Sequence, residues 1–266
     1  MKDICKLLDG KIWEVDDLVE RMKDDQFYYG YCDKAMFSSS KIKNMIKSPK
    51  TFYYVNKYKK SEQALRDGYL FHTAILEPEK FSNNIFCPVY SKNTKTYREY
   101  VESYKGEQVY TLQEKENAER LAQAFTLHKK AVSMIGDSVF EKATFGFIDD
   151  IPFRAKADVL RNNGSIIDLK TCQNITNFKK DAYAFGYDAQ LYIYCKLFNV
   201  HYKEFWFIAI DKGSLDIGIY DCSKEFYESG RQQVQKVLDT YKTKMQDKSE
   251  EDIKDFIDNY YFSGSL

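Results

Sequence analysis

The stretch FRAKADVLRNNGSIIDLKTC, residues 153–172, constrains this chain more than any other. Two runs rich in apolar residues flank Asn162-Asn163-Gly164, the composition of a short turn between neighbouring strands. Period-two alternation sets Lys156 and Asp158 on one face of the first strand, and Asp168 and Lys170 on one face of the second. Asp168 stands among Ile166, Ile167 and Leu169, the pattern of a central strand buried on both sides. A carboxylate in such a strand is costly unless it is paired or holds a metal.

The flanking pattern supplies the rest of an α/β core. Val139–Ile148 reads as a strand joined at Asp149-Asp150 to Ile151–Leu160, with Ser165–Thr171 next. A helix is expected from about Lys179 to Phe198. Strands at Glu204–Ile210 and Leu215–Tyr220 follow, then a helix over about Lys224–Lys244. Upstream, Ser38-Ser39-Ser40 caps a short helix stopped by Ser48-Pro49. Ser61–Leu76 reads as a helix with Leu65, Tyr69, His72 and Leu76 on one stripe. Gly68 in its middle costs ~1 kcal/mol relative to Ala and is expected to mark a close approach. Leu112–Ile135 reads as one long helix with Leu121, Phe125, Val132 and Ile135 inward, closed by Gly136. Residues 81–110 show no clear pattern.

Composition narrows the class. A chain of 266 residues with 44% hydrophobic and 16% aromatic residues is not disordered. No apolar run approaches the ~18 residues of a membrane span, and MKDICKLLDGKIWEVDD lacks a signal-peptide core, so a soluble cytoplasmic protein is expected. Six Cys without a CxxC pair predict buried, reduced thiols and neither structural zinc nor an iron–sulfur cluster. Lys+Arg and Asp+Glu balance at 40 each, but the charge is segregated. From Lys34 to Lys60 there are eight Lys and no acid, interleaved with Phe37, Phe52, Tyr53, Tyr54 and Tyr58. Such a surface could track a phosphate backbone; it could also be an ordinary solvated face. The acidic end, QDKSEEDIKDFIDNYY, reads as a terminal helix.

Two converging carboxylates offer the hard oxygen ligands that suit Mg²⁺ or Mn²⁺. Lys170 beside them could orient or deprotonate a water, or stabilise a phosphorane, as in metal-assisted hydrolysis of a phosphodiester. The same residues would also make a buried Asp168–Lys170 ion pair, with Asp158 capping a turn.

Asp158, and ten residues later Asp168-x-Lys170 in an apolar strand, resemble the PD-(D/E)xK nuclease superfamily, with Ala157 where a Pro usually precedes the first Asp. Gln190-xxx-Tyr194 resembles the QxxxY motif of RecB-type exonucleases. SSSKIKNMIKSP and DGYLFHTAILEP, with Gly68-xxx-His72, resemble segments of exodeoxyribonuclease VIII (RecE-like) and phage exonucleases. The resemblance spans residues 35–245. It implies a three-layer core, a central mixed sheet flanked by helices with a helical N-terminal elaboration, in one nuclease domain over 1–266: elaboration 1–110, catalytic core 111–245, acidic tail 246–266. It implies metal ligation by His72, Asp158, Asp168 and the Leu169 carbonyl. Lys170 would be the water-activating or charge-stabilising group, and Gln190 and Tyr194 would shape the site. The implied reaction is Mg²⁺-dependent resection of linear double-stranded DNA from free ends, 5′→3′, exposing single strands for recombination. A single-strand annealing protein as partner, a ring-type trimer or tetramer, and a bacterial or phage origin are implied with it.

Beside that set, Glu141 could be a second-metal ligand, an outer acid or an edge residue. Lys41, Lys43, Lys47, Lys50 and Lys156 are the lysines expected to face DNA, Lys156 being almost as readable as a surface strand lysine. His72, on an apolar stripe, could be a core histidine, and Gln190 and Tyr194 could be a packing pair. His128 and His201 are expected bystanders. The rival readings are a structure-specific or restriction-type endonuclease and a non-catalytic DNA-binding module.

Overall fold

The computed structural model describes residues 3–54 and 62–262; Lys57, Tyr58, Lys59 and Lys60 of the lysine-rich run lie outside them. Two short strands, β1 (Ile4–Lys6) and β2 (Ile12–Glu14), pair antiparallel, and β3 (Ile85–Cys87) pairs parallel with β4 (Val109–Thr111). The central sheet has the order β5 (Ser138–Ile148), β6 (Ile151–Arg161), β7 (Ile166–Cys172), β8 (Phe205–Asp211) and β9 (Ile217–Asp221). It is mixed: β7 and β8 run parallel, and the other neighbours run antiparallel. Asp149 and Asp150, at φ 50° and 64°, make the tight β5–β6 turn with the twist a two-residue hairpin needs.

Both faces of the sheet are covered. Val159, Ile167, Leu169, Ile208 and Ile210 pack against Phe71, Leu76, Leu121, Phe125 and Met134 from the upstream helices. Phe153, Ala155, Ala157, Phe205, Phe207 and Ala209 pack against Leu191, Ile193, Val234 and Leu238. That gives the expected three layers, because the sheet's runs are apolar on both faces and need a layer on each. No helix among the described residues is long and apolar enough to cross a membrane.

Four local expectations change. The long helix 112–135 is two, Leu112–Leu127 and Lys129–Ile135, with His128 at the joint accepting the Ala131 N–H on Nδ1 at 3.1 Å. The break shifts the phase, so Ala131 and Met134 turn inward and Val132 is exposed. The helix expected over 179–198 is likewise two, Phe178–Ala184 and Tyr187–Phe198, separated at Gly186 with φ +68°. The helix Glu62–Leu76 forms as expected, but Leu65 and Tyr69 are exposed while Arg66, Leu70, Phe71 and Thr73 are buried. Arg66 is inside because Glu114 takes its Nε at 2.6 Å and its guanidinium also donates to the Val109 carbonyl at 2.6 Å. Gly68 meets nothing within 4 Å among the described residues, so no close approach explains it. The segment 81–110, featureless in sequence, holds β3, β4 and the helix Lys95–Ser103.

Candidate active site

The β6–β7 ladder holds at Leu160↔Ile166 and Val159↔Ile167 and then stops. Just beyond, the Leu169 N–H donates to Asp158 Oδ2 at 2.7 Å, so a carboxylate replaces a ladder partner and the strands open around it. On the other side β5 and β6 stay in register from Phe140↔Val159 to Lys142↔Ala157, which places Glu141 opposite Asp158. Glu141 has φ +51°, a left-handed strand residue that costs free energy and that surrounding contacts must hold.

His72 reaches this opening from the helix Glu62–Leu76. One ring nitrogen, Nε2, lies 2.8 Å from the Leu169 carbonyl, and Nδ1 lies 3.5 Å from Asp158 Oδ2. Ligand atoms of His72, Glu141 and Asp158 all lie within 4.8 Å of one another. Burial, the Asp158 charge and then Glu77 push the Glu141 carboxyl up to about 8, against a smaller pull from Lys156 and Lys80. Two crowded carboxyls, an imidazole and the Leu169 carbonyl that the imidazole contacts form a donor set that fits a divalent cation taking oxygen and nitrogen ligands.

Asp168 stands beside that set, outside the three. It is 1% exposed. Gln190 Nε2 donates to its Oδ2 at 2.5 Å, and Lys170 pairs with Oδ1. Burial raises the Asp168 pKa to about 6 despite Lys170. Burial alone would lower Lys170, but Asp168, Tyr187 and Asp158 outweigh it and hold the ammonium above its ordinary range. Lys170 therefore keeps its proton, and its Nζ sits 4.8 Å from the Tyr187 ring centroid. Tyr194 donates to the Lys156 carbonyl at 3.0 Å. The i,i+4 pair thus braces two strands from behind: Gln190 fixes Asp168 and Tyr194 fixes β6.

The expected DNA-facing lysines divide. Lys47 is exposed, and Lys50 approaches the Asp258 carbonyl at 3.4 Å. Lys43 is partly buried over Phe185 and Tyr187, its Nζ 5.2 and 5.9 Å from the ring centroids, with no carboxylate partner among the described residues. Burial, then Lys47 and Lys170, lower its pKa to about 8. Lys41 instead donates to the Asp33 and Met36 carbonyls. Lys156 is no surface lysine: its side chain is 9% exposed and bonds Asp25 Oδ1 at 2.5 Å. That partner, 131 residues away, left no local signal in the sequence. His201 caps the turn Tyr202–Glu204, its Nδ1 accepting the Lys203 N–H at 3.3 Å.

If the three groups hold a cation, Mn²⁺ at a hundred times its Kd stabilises the fold by about 2.7 kcal/mol. Calorimetry without DNA should show the rise in Tm for the wild type and little of it for Glu141→Gln or Asp158→Asn. An undiminished rise in both variants would place the ion elsewhere.

A family model described as "PDDEXK-like domain of unknown function (DUF3799)" matches residues 38–254. No curated protein matches the chain. A crystal structure named "Putative exonuclease" from Eubacterium rectale shares the fold at TM-score 0.60 and 14% identity, covering 91% of this chain and 95% of its own. A second crystal structure, SSO0001, aligns at TM-score 0.30 and 16% identity over 64% of this chain and 84% of that one.

Proposed function

We propose, from the premise that this chain belongs to the PDDEXK-like family and with it to the PD-(D/E)xK nuclease superfamily, that it is a divalent-metal-dependent nuclease hydrolysing phosphodiester bonds in DNA. The observation that carries the reading is the convergence of His72, Glu141 and Asp158 beside a buried Asp168–Lys170 pair. A family fold alone would not suffice, because function resides in the site.

His72, Glu141 and Asp158, with the Leu169 carbonyl, would hold the ion. Asp168 joins them on this reading: Gln190 and Lys170 each engage one of its oxygens, and every carboxylate oxygen has a second acceptor position. Bound there, Mg²⁺ or Mn²⁺ would make an attacking water more acidic than bulk water and would supply a counter-charge for the phosphate. Lys170, paired with Asp168 and seated against Tyr187, serves as a positive charge facing the phosphoryl oxygens. Gln190 keeps Asp168 in one orientation, and Tyr194 holds the β6 backbone at the spacing the opening requires. Lys43, without a carboxylate partner among the described residues and sharing the Tyr187 ring with Lys170, offers a backbone phosphate a cationic contact on that side.

The finer reading is an exonuclease entering at free ends of linear double-stranded DNA, 5′→3′, and leaving single strands for recombination. A ring-type oligomer and a single-strand annealing protein complete it. The sequence resemblance supports this, and the name carried by the Eubacterium rectale protein supports the exonuclease part alone. The test is digestion of linear duplex, nicked circular and closed circular DNA with Mg²⁺, Mn²⁺ or EDTA. Metal-dependent loss of linear DNA alone is the expected result. Cutting of closed circles would make the protein an endonuclease, and binding without cutting would make it a DNA-binding module.

A further inference from the structure

Next to the acidic cluster an aromatic ring faces solvent, and nothing in the proposed reaction uses it. Tyr29 is 60% exposed. It lies in a π-helical turn, Phe27–Tyr31, a rare geometry that recurs at functional sites. The ring is backed firmly. Tyr28 meets it edge-on, with centroids 4.9 Å apart and planes at 85°. Lys156 Nζ is 5.0 Å and the Arg154 guanidinium carbon 5.7 Å from its centroid.

These cations are themselves fixed. Arg154 donates to the Tyr28 carbonyl at 2.7 Å and to Asp33 Oδ1 at 2.6 Å, and Lys156 is bound to Asp25. Lys156 is also two residues before Asp158 on β6, and its carbonyl is the one Tyr194 holds. The ring is thus tied to the same strand that carries the candidate ligand. The Tyr29 phenol also lies within electrostatic reach of the Glu141 and Asp25 carboxylates. A rigid ring presented to solvent at the edge of a phosphodiester site suits one partner on chemical grounds, the face of a nucleobase. Every base has a π-face, and stacking on an aromatic side chain needs no sequence.

We infer that Tyr29 is the stacking platform for a base of the reacting strand, holding that nucleotide unpaired while its phosphate lies in the site. The inference rests on the nuclease reading and adds a base subsite to it. Ends that fray easily are then preferred over clamped GC ends, because less pairing must be broken.

The test uses duplexes with 2-aminopurine at each of the first three nucleotides of either strand, and Ca²⁺ replacing Mg²⁺ to keep them uncut. The wild type, Tyr29→Phe and Tyr29→Trp should quench the fluorescence at one position. Tyr29→Ala should lose that quench and bind DNA about 5- to 150-fold more weakly, with its Tm unchanged. Tyr90→Ala, at another exposed tyrosine, whose hydroxyl donates to Glu116, should behave as wild type. Equal quenching and affinity in Tyr29→Ala overturns the inference, as does a Tyr29→Phe variant as defective as the alanine. Wild-type protein that binds DNA but never cuts it removes the nuclease reading instead, and the fluorescence still decides whether the ring stacks on a base.

Discussion

Lys170→Ala is expected to lower the single-turnover rate of DNA cleavage by about 10²- to 10³-fold, the usual cost of removing one preorganised charge-stabilising group. Binding of DNA should change far less, because one ammonium among many phosphate contacts adds little to affinity. The size of the effect follows from placement. Lys170 is paired with Asp168, seated against Tyr187, and keeps its proton against the pull of burial. Its charge is already in position when the phosphate arrives, so no reorganisation is needed at the moment of reaction. Removing it also leaves Asp168 buried without a counter-charge, and breaking such a pair costs about 3–5 kcal/mol. Rates should therefore be normalised to folded protein by near-UV circular dichroism. Lys170→Arg, which keeps the charge but replaces a compact ammonium with a planar fork, should retain an intermediate rate. A folded Lys170→Ala protein cleaving within threefold of wild type would end the assignment.

How far the sequence reached differs between parts of the molecule, for physical reasons. The strands β5 to β9 were legible because their alternation and turn residues are local; Asp149-Asp150 and Asn162-Asn163-Gly164 mark both hairpin turns. The convergence of His72 with Asp158 follows from the resemblance alone, since the helix buries Arg66, Leu70, Phe71 and Thr73 and leaves Leu65 and Tyr69 of the apolar stripe exposed. Glu141 stayed open because its left-handed φ and its position opposite Asp158 depend on register, which spacing alone does not give. Breaks at His128 and Gly186 were hidden inside continuous helical periodicity. The Asp25, Lys80 and Lys156 cluster joins three distant segments and has no motif. What failed was thus long-range pairing and helix phase; what succeeded was local pattern joined to a known motif set.

The other large effect expected lies behind the site, at Gly230. The helix Lys224–Lys244 crosses Tyr187–Phe198 so closely there that a Cβ on Gly230 would stand 1.9 Å from the Asp188 carbonyl oxygen and 2.9 Å from the Ala189 nitrogen. Both obstacles are backbone, so no rotamer change relieves them, and the two helices must separate. Asp188 is fully buried at this crossing. Its Oδ2 accepts from Ser229 Oγ at 2.6 Å and Gln233 Nε2 at 2.5 Å, and its Oδ1 from the Ala189 N–H at 2.9 Å. Separation stretches these bonds as well as overpacking the core, so Gly230→Ala should lose about 3 kcal/mol or more. Gln190 rides on the displaced helix two residues from Asp188, and displacement of a positioning group by about 1 Å can cost 10²-fold in rate. Cleavage by the protein that remains folded should fall accordingly, although Gly230 touches no reacting atom. Gly68→Ala is the contrasting substitution: in mid-helix, with nothing within 4 Å of its added Cβ among the described residues, it should gain about 0.5–1 kcal/mol. Urea titrations of both variants decide the matter. A Gly230→Ala protein within 1 kcal/mol of wild type would mean that the crossing yields easily and does not hold Gln190 in place.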